Sequence, residues 1–99
     1  MRIISRKSLT DFWKKRGCKD AEQPLKSWYK IALEADWKSP SDVKQCFRNA
    51  SIVGNNRVVF NIAGNKYRLV CAVNYSYRVL YIRFVGNHSE YDEIDVSII

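Results

Sequence analysis

Ninety-nine residues, 46% hydrophobic and 13% aromatic, are enough for one modest core and argue against both a two-domain enzyme and a disordered chain. Seventeen Lys and Arg against ten Asp and Glu give a net charge of +7, and such a surplus favours a polyanionic partner, nucleic acid foremost. Three widely spaced cysteines without a C-x-x-C, and a single histidine, argue against a disulfide framework and against a Cys/His zinc site.

Residues 2–5 read as a short strand. Ser8 then precedes the apolar set Leu9, Phe12 and Trp13 at helical spacing, with Asp11 placed as in a capping box, and Gly17 closes this short helix. A second helix is predicted behind Asp20 as its cap. Pro24 falls in its first turn, and Leu25, Trp28, Tyr29, Ala32 and Leu33 form its apolar stripe. Ser39-Pro40-Ser41-Asp42 opens a third, shorter helical turn holding Val43 and Phe47, and Gly54-Asn55-Asn56 closes the helical half. Trp13, Trp28 and Trp37 are too many for a core of this size to bury completely, which leaves the helical side as an apolar surface for a partner.

The strands follow. Gly64-Asn65 is a two-residue hairpin signal between 58–63 and 66–72, setting Asn61 opposite Arg68 and Phe60 opposite Leu69. A second tight turn at Tyr75-Ser76 brings in 78–85, with Leu69 opposite Ile82 and Arg68 opposite Arg83. Alternation then sorts the side chains into two faces. One is a core of Val58, Phe60, Ile62, Tyr67, Leu69, Cys71, Leu80, Ile82 and Phe84; the other carries Arg57, Asn61, Lys66, Arg68, Tyr81 and Arg83. Arginines facing each other repel, and an anion to bind is the simplest compensation. The order β-α-α-(α)-β-β-β describes a single α+β domain over residues 1–99, with helices on one face of an antiparallel sheet and an open basic face on the other.

Charge along the chain is uneven. Residues 86–99 hold Glu90, Asp92, Glu93 and Asp95 with no Lys or Arg, so residues 1–85 carry seventeen basic against six acidic groups, a net of +11. Behind Arg83 the chain runs through Gly86 to its only His, His88, and then to Tyr91; a loop here that curls back brings both towards Arg68 and Arg83. Histidine is the usual proton carrier near neutral pH, and arginine holds a phosphate through paired hydrogen bonds. Lys14, Lys15 and Arg16, with Lys19, cluster at the end of the first helix and are candidate contacts to backbone phosphates. Glycine-rich phosphate loops and paired catalytic carboxylates are missing. Cationic groups without an obvious metal or cofactor suit RNA cleavage by the RNA's own 2′-hydroxyl. Residues 1–5 lack the apolar stretch of a signal peptide and no run is long enough to span a bilayer, so a cytoplasmic protein without membrane contact is expected.

Four stretches give a more specific lead: Asp20-Ala21-Glu22-Gln23-Pro24-Leu25-Lys26 with Trp28-Tyr29; Gly54-Asn55-Asn56-Arg57-Val58-Val59-Phe60-Asn61-Ile62; Gly64-Asn65-Lys66-Tyr67-Arg68-Leu69; and Ile82-Arg83-Phe84-Val85-Gly86 ahead of His88 and Tyr91-Asp92. Through these the whole chain resembles the HigB toxins of bacterial toxin–antitoxin systems, a branch of the RelE-like mRNA interferases. The resemblance implies a RelE-like α+β fold whose sheet face enters the ribosomal A site and cuts mRNA. It also implies inhibition by a cognate antitoxin, typically a helix-turn-helix DNA-binding protein of the HigA type. The basic residues on the central strands and the Tyr or His near the C-terminus of such toxins match Lys66, Arg68, Arg83, His88 and Tyr91; which of them is acid and which base stays open. Arg57 and Asn61 come from the strand register alone. The expected activity is ribosome-dependent, metal-independent endonucleolytic cleavage of translated mRNA that stops growth. A non-catalytic RNA-binding module using the same face is the alternative, and intact messages during expression would mark it. A DNA-binding regulator is disfavoured, because no basic recognition helix at helix-turn-helix spacing is present.

Overall fold

A computed structural model describes residues 1–99 as an α+β sandwich of helices against one five-stranded sheet. The elements are β1 (Arg2–Ile4), α1 (Lys7–Trp13), a 3-10 turn (Lys19–Ala21), α2 (Glu22–Glu34), α3 (Pro40–Cys46), β2 (Ser51–Val53), β3 (Arg57–Ile62), β4 (Tyr67–Asn74), β5 (Val79–Asn87) and α4 (His88–Asp92). The sheet order is β1-β5-β4-β3-β2. All neighbours are antiparallel except β1, which lies parallel to β5. No helix is long and apolar enough to cross a membrane.

The β3–β4 hairpin has the expected register, with Phe60 opposite Leu69, Asn61 opposite Arg68 and Ile62 opposite Tyr67. Lys66 N–H closes the turn on the Ala63 carbonyl at 3.2 Å, and Gly64 takes the positive φ (68°) that the turn requires. The β4–β5 pairing differs from expectation. Its turn spans 75–78 rather than two residues, with Asn74 opposite Val79, because Asn74 Oδ1 accepts from Tyr77 N–H and Arg78 takes a φ of 56°. A bulge then follows. Cys71 faces Ile82 while Val70 faces Phe84, so Arg83 is the extra residue. Arg68 consequently stands opposite Gly86, not Arg83, and Leu69 opposite Val85, not Ile82. The expected arginine–arginine repulsion does not exist. Past the bulge the alternation inverts, so Val85 packs on the core and Phe84 turns to the other face.

The helical face buries Leu9, Phe12 and Trp13 from α1 and Leu25, Trp28 and Ala32 from α2 against Val58, Phe60, Ile62, Leu69, Cys71, Leu80 and Ile82. Phe60 is the hub. Trp28 and Phe47 meet its ring edge-on at 5.3 and 5.2 Å, and Trp37 stacks on it at 6.1 Å. Trp28 and Trp37 in this cluster are 2% exposed, and Trp13 on α1 is 9% exposed, so the tryptophans expected to stay partly exposed are buried. The tryptophans therefore add little exposed apolar surface to the helical side. Leu33, placed in the buried stripe of α2, is instead exposed.

Two helix starts and one strand also differ. The first residue of α1 is Lys7, whose ammonium pairs with Asp11 at 2.8 Å, so Ser8 is no cap. Asp20 does not cap α2; it is drawn to Tyr67 and Lys66 on the sheet. Residues 51–53, ahead of the Gly54-Asn55-Asn56 turn taken to close the helical half, form an edge strand, turned back onto β3 by Asn55 and Asn56 at φ near +60° (61° and 58°). α3 starts behind Ser39 with Pro40 at its first turn, as its sequence predicts.

The second face is only partly open. Residues 93–99 run from α4 across it to Arg57, which donates from Nε and Nη2 to the Ile99 main-chain oxygen at 3.0 and 2.6 Å; Asn55 Nδ2 reaches Ser97 O at 2.9 Å. Beneath them Val59, Val70 and Ala72 are buried. A Cβ on Gly86 would stand 2.5 Å from Phe84 Cζ and 3.2 Å from Glu90 Cβ. Gly86→Ala should therefore destabilise the fold by about 1–3 kcal/mol through overpacking, read as a lowered melting temperature; an unchanged melt would show that the Phe84 ring turns aside freely.

Candidate active site

Arg68 lies on the second face of β4, with Asn61 across one strand boundary and Gly86 across the other. The glycine leaves room, and α4 fills it. Asn87 is extended and caps this helix with a full capping box: Glu90 N–H donates to Asn87 Oδ1 at 2.9 Å and Asn87 N–H to Glu90 Oε1 at 3.0 Å. His88 is thereby the first helical residue, and Tyr91 and Asp92 follow on the same helix face at i+3 and i+4.

Arg68 Nη2 lies 2.9 Å from His88 Nε2, and its guanidinium carbon 5.9 Å from the centre of the Tyr91 ring. The same guanidinium donates through Nη1 to Asn65 O at 3.0 Å, which aims it along the hairpin tip. A guanidinium has only donors, so Nε2 of the neutral ring must be the acceptor and Nδ1 carries the proton. Nδ1 faces Asp92 Oδ1 at 3.9 Å. Tyr91 rests against Phe84 with ring centres 6.5 Å apart, so the inverted alternation behind the bulge supplies its support. The group is accessible: the His88 side chain is 58% exposed. An unprotonated nitrogen beside a fixed cation can take a proton from a hydroxyl while the cation holds a neighbouring phosphate.

Of the residues singled out from sequence, Arg68, His88 and Tyr91 are thus together. Arg83, the bulged residue, is exposed and stacks over the Tyr81 ring at 5.4 Å instead of joining them. Lys66 reaches towards the helical side and forms an ion pair with Asp20. Arg57 is occupied by Ile99. Asn61 stands opposite Arg68 and touches Asn49 O at 3.4 Å. Lys14, Lys15, Arg16 and Lys19 surround a separate cavity of about 550 Å³ at the end of α1, where Lys15 also covers the Phe12 ring. Sequence reasoning passed over Asp92, although its spacing of four from His88 was the available signal. It also missed Asp20 as the acidic partner of Lys66, for which no local signal exists. No group of three His, Cys, Asp or Glu is placed to hold a metal ion.

The fold is that of the RelE-like toxins, a helical layer on a mostly antiparallel sheet, and the site sets an arginine of a central strand beside a C-terminal histidine and tyrosine. The family model of HigB toxin, RelE-like toxic component of a toxin–antitoxin system, matches residues 21–94, and the chain belongs to this family. It is also similar to the mRNA interferase HigB of Escherichia coli O6:H1 (strain CFT073), with 26% identity over 72 residues, covering 71% of this chain and 70% of that protein.

Asp20 joins the α1–α2 connection to the hairpin tip and perturbs its neighbours. Hydrogen bonds from Lys66 and then Tyr67 hold its carboxyl below the usual 3.8. The bond to Asp20, followed by its charge, raises Lys66 above 10.5, while burial and then Asp20 push Tyr67 above 10.0. A lowered acid stabilises the fold above its unfolded value, and that contribution disappears as pH falls through the folded value; a raised lysine stabilises below its unfolded value and loses this as pH climbs through the folded one. The tie is therefore at full strength between 3.8 and 10.5. In denaturant titrations at a series of pH values, Asp20→Asn should be less stable than the parent at neutral pH, and the two should converge below 3.8.

Proposed function

We propose that the protein is an endoribonuclease that cuts mRNA in the ribosomal A site and so stops translation and growth. The carrying observation is the contact of Arg68 with His88 at 2.9 Å. In this reading a phosphate of the message takes the Arg68 guanidinium and frees His88 Nε2. His88 removes the proton of the adjacent ribose 2′-hydroxyl. The 2′-oxygen forms a bond to phosphorus, the bond to the 5′-oxygen breaks, and that oxygen receives a proton, leaving a 2′,3′-cyclic phosphate and a 5′-hydroxyl. No metal takes part. Tyr91, whose ring lies beside Arg68, supplies the returning proton or positions the ribose. Arg83 and Lys66 serve as outlying phosphate contacts, since Tyr81 and Asp20 engage them.

Lys14, Lys15, Arg16 and Lys19, none of which pairs with a carboxylate, form a second contact to ribosomal RNA. A similarity to an mRNA interferase supports RNA as the substrate. Membership of a toxin–antitoxin family supports a protein inhibitor, for which a helix-turn-helix antitoxin of the HigA type is proposed.

Mapping mRNA ends during expression tests the activity. His88→Ala should slow cleavage by about 10²–10⁴-fold with little change in ribosome binding, and Arg68→Ala should abolish it in a folded protein. Full cleavage in the His88 variant would remove the proposed base; intact messages with the parent protein would leave an RNA-binding module. Replacing Lys14, Lys15 and Arg16 by Ala should lower the salt slope of ribosome affinity by about 2–3, and an unaltered slope would place that loop off the RNA.

A further inference from the structure

We propose that the cavity between the 47–50 loop and the end of the β3–β4 hairpin is a nucleobase subsite, in which Asn61 reads the base next to the phosphate held by Arg68. This rests on the endoribonuclease reading and names how it chooses its sites. The cavity has a volume of about 340 Å³, within the roughly 300–1,000 Å³ range of small-molecule sites. Its lining includes Phe47, Arg48, Asn49, Asn61 and Gly64.

Each wall is held in place before any ligand arrives. Phe47 is half-buried, its ring set edge-on against Phe60 at 5.2 Å and Trp37 at 6.0 Å, so its remaining surface is a fixed aromatic platform. Lys44 Nζ donates to the carbonyls of Arg48 and Ala50, at 2.7 Å each, and Ala50 N–H to Phe47 O at 3.1 Å. These bonds fix the loop. The Asn61 amide, by contrast, is held only by the long 3.4 Å bond from Nδ2 to Asn49 O. It offers one donor and one acceptor at little cost of exchange. A flat apolar surface beside a donor–acceptor pair suits the edge and face of an unstacked base; a phosphate would call for more cations than Arg48 alone.

The position agrees. Asn61 and Arg68 are direct cross-strand neighbours on one face, on strands about 4.8 Å apart, and Arg68 adjoins His88 on its other side. Base, phosphate and proton acceptor therefore follow one another across the sheet within the reach of one nucleotide. Phe47 accepts any base by stacking, whereas the Asn61 amide sets the preference.

The test is the distribution of bases around the cuts made in translated mRNA by the parent protein and by Asn61→Ala, Asn61→Ser and Phe47→Leu. The parent should show a preference at one fixed position beside the cut. Both Asn61 variants should flatten it by about 5–100-fold relative to the other bases while preferences elsewhere persist, and Phe47→Leu should lower cutting at all sites alike. A purely structural role for Asn61 would reduce all cuts together and keep the ratios; that result, or a preference untouched in a folded Asn61→Ser protein, overturns the subsite and leaves the endonuclease standing. Absence of cleavage by the parent protein overturns both.

Discussion

The bulge at Arg83 is the constraint on which the site depends. β5 enters the sheet with Leu80 and Ile82 in the core, and without an extra residue it would continue in that phase. One inserted residue sets Val85 against the core and sends Phe84 to the opposite face, where it supports Tyr91. It also places Gly86 across from Arg68, the only residue type whose lack of a side chain leaves α4 space to settle there. Arg83 itself, as the unpaired residue, is left outside the group it was expected to join. A local irregularity thus decides which cation meets the histidine.

The two sides of the sheet are held by different forces. On the helical side, aromatic packing of Trp28, Trp37 and Phe47 around Phe60 closes a dry core. On the other side the cover is thin: a five-residue helix, a short tail and hydrogen bonds from Arg57 and Asn55. Between the two, Asp20 fastens the basic α1–α2 connection to the hairpin tip. The +11 of residues 1–85 is therefore divided between the sheet face that carries Arg68 and a separate basic corner, while part of it is engaged in internal ties.

Legibility in the sequence follows from how local each signal is. Gly64-Asn65 sets β3 against β4 by itself, and alternation on those strands is unambiguous, so the core face and the place of Arg68 could be read directly. The approach of His88 and Tyr91 followed from chain length and a glycine. The β4–β5 register could not be read in the same way, because its turn is made by an Asn74 side chain and an arginine in the left-handed region, and the bulge has no compositional mark. Ser8 and Asp20 look like helix caps to their neighbours in sequence. Asp20 has a partner 46 residues away that no window contains. Burial of Trp28 and Trp37 required Phe60 between them, a tertiary fact.

The capping box at Asn87 has a consequence for the timing of motion in this molecule. None of the twenty residues of the main core follows Ile82, and a helix of five residues has too few internal bonds to persist on its own. Arg68 is therefore mounted on a strand whose opening requires global unfolding, whereas His88 and Tyr91 ride on an element able to open by itself. Amide exchange in 88–92 should run far ahead of exchange in β4, so the group of Arg68, His88 and Tyr91 exists as a unit only during the fraction of time that α4 is wound.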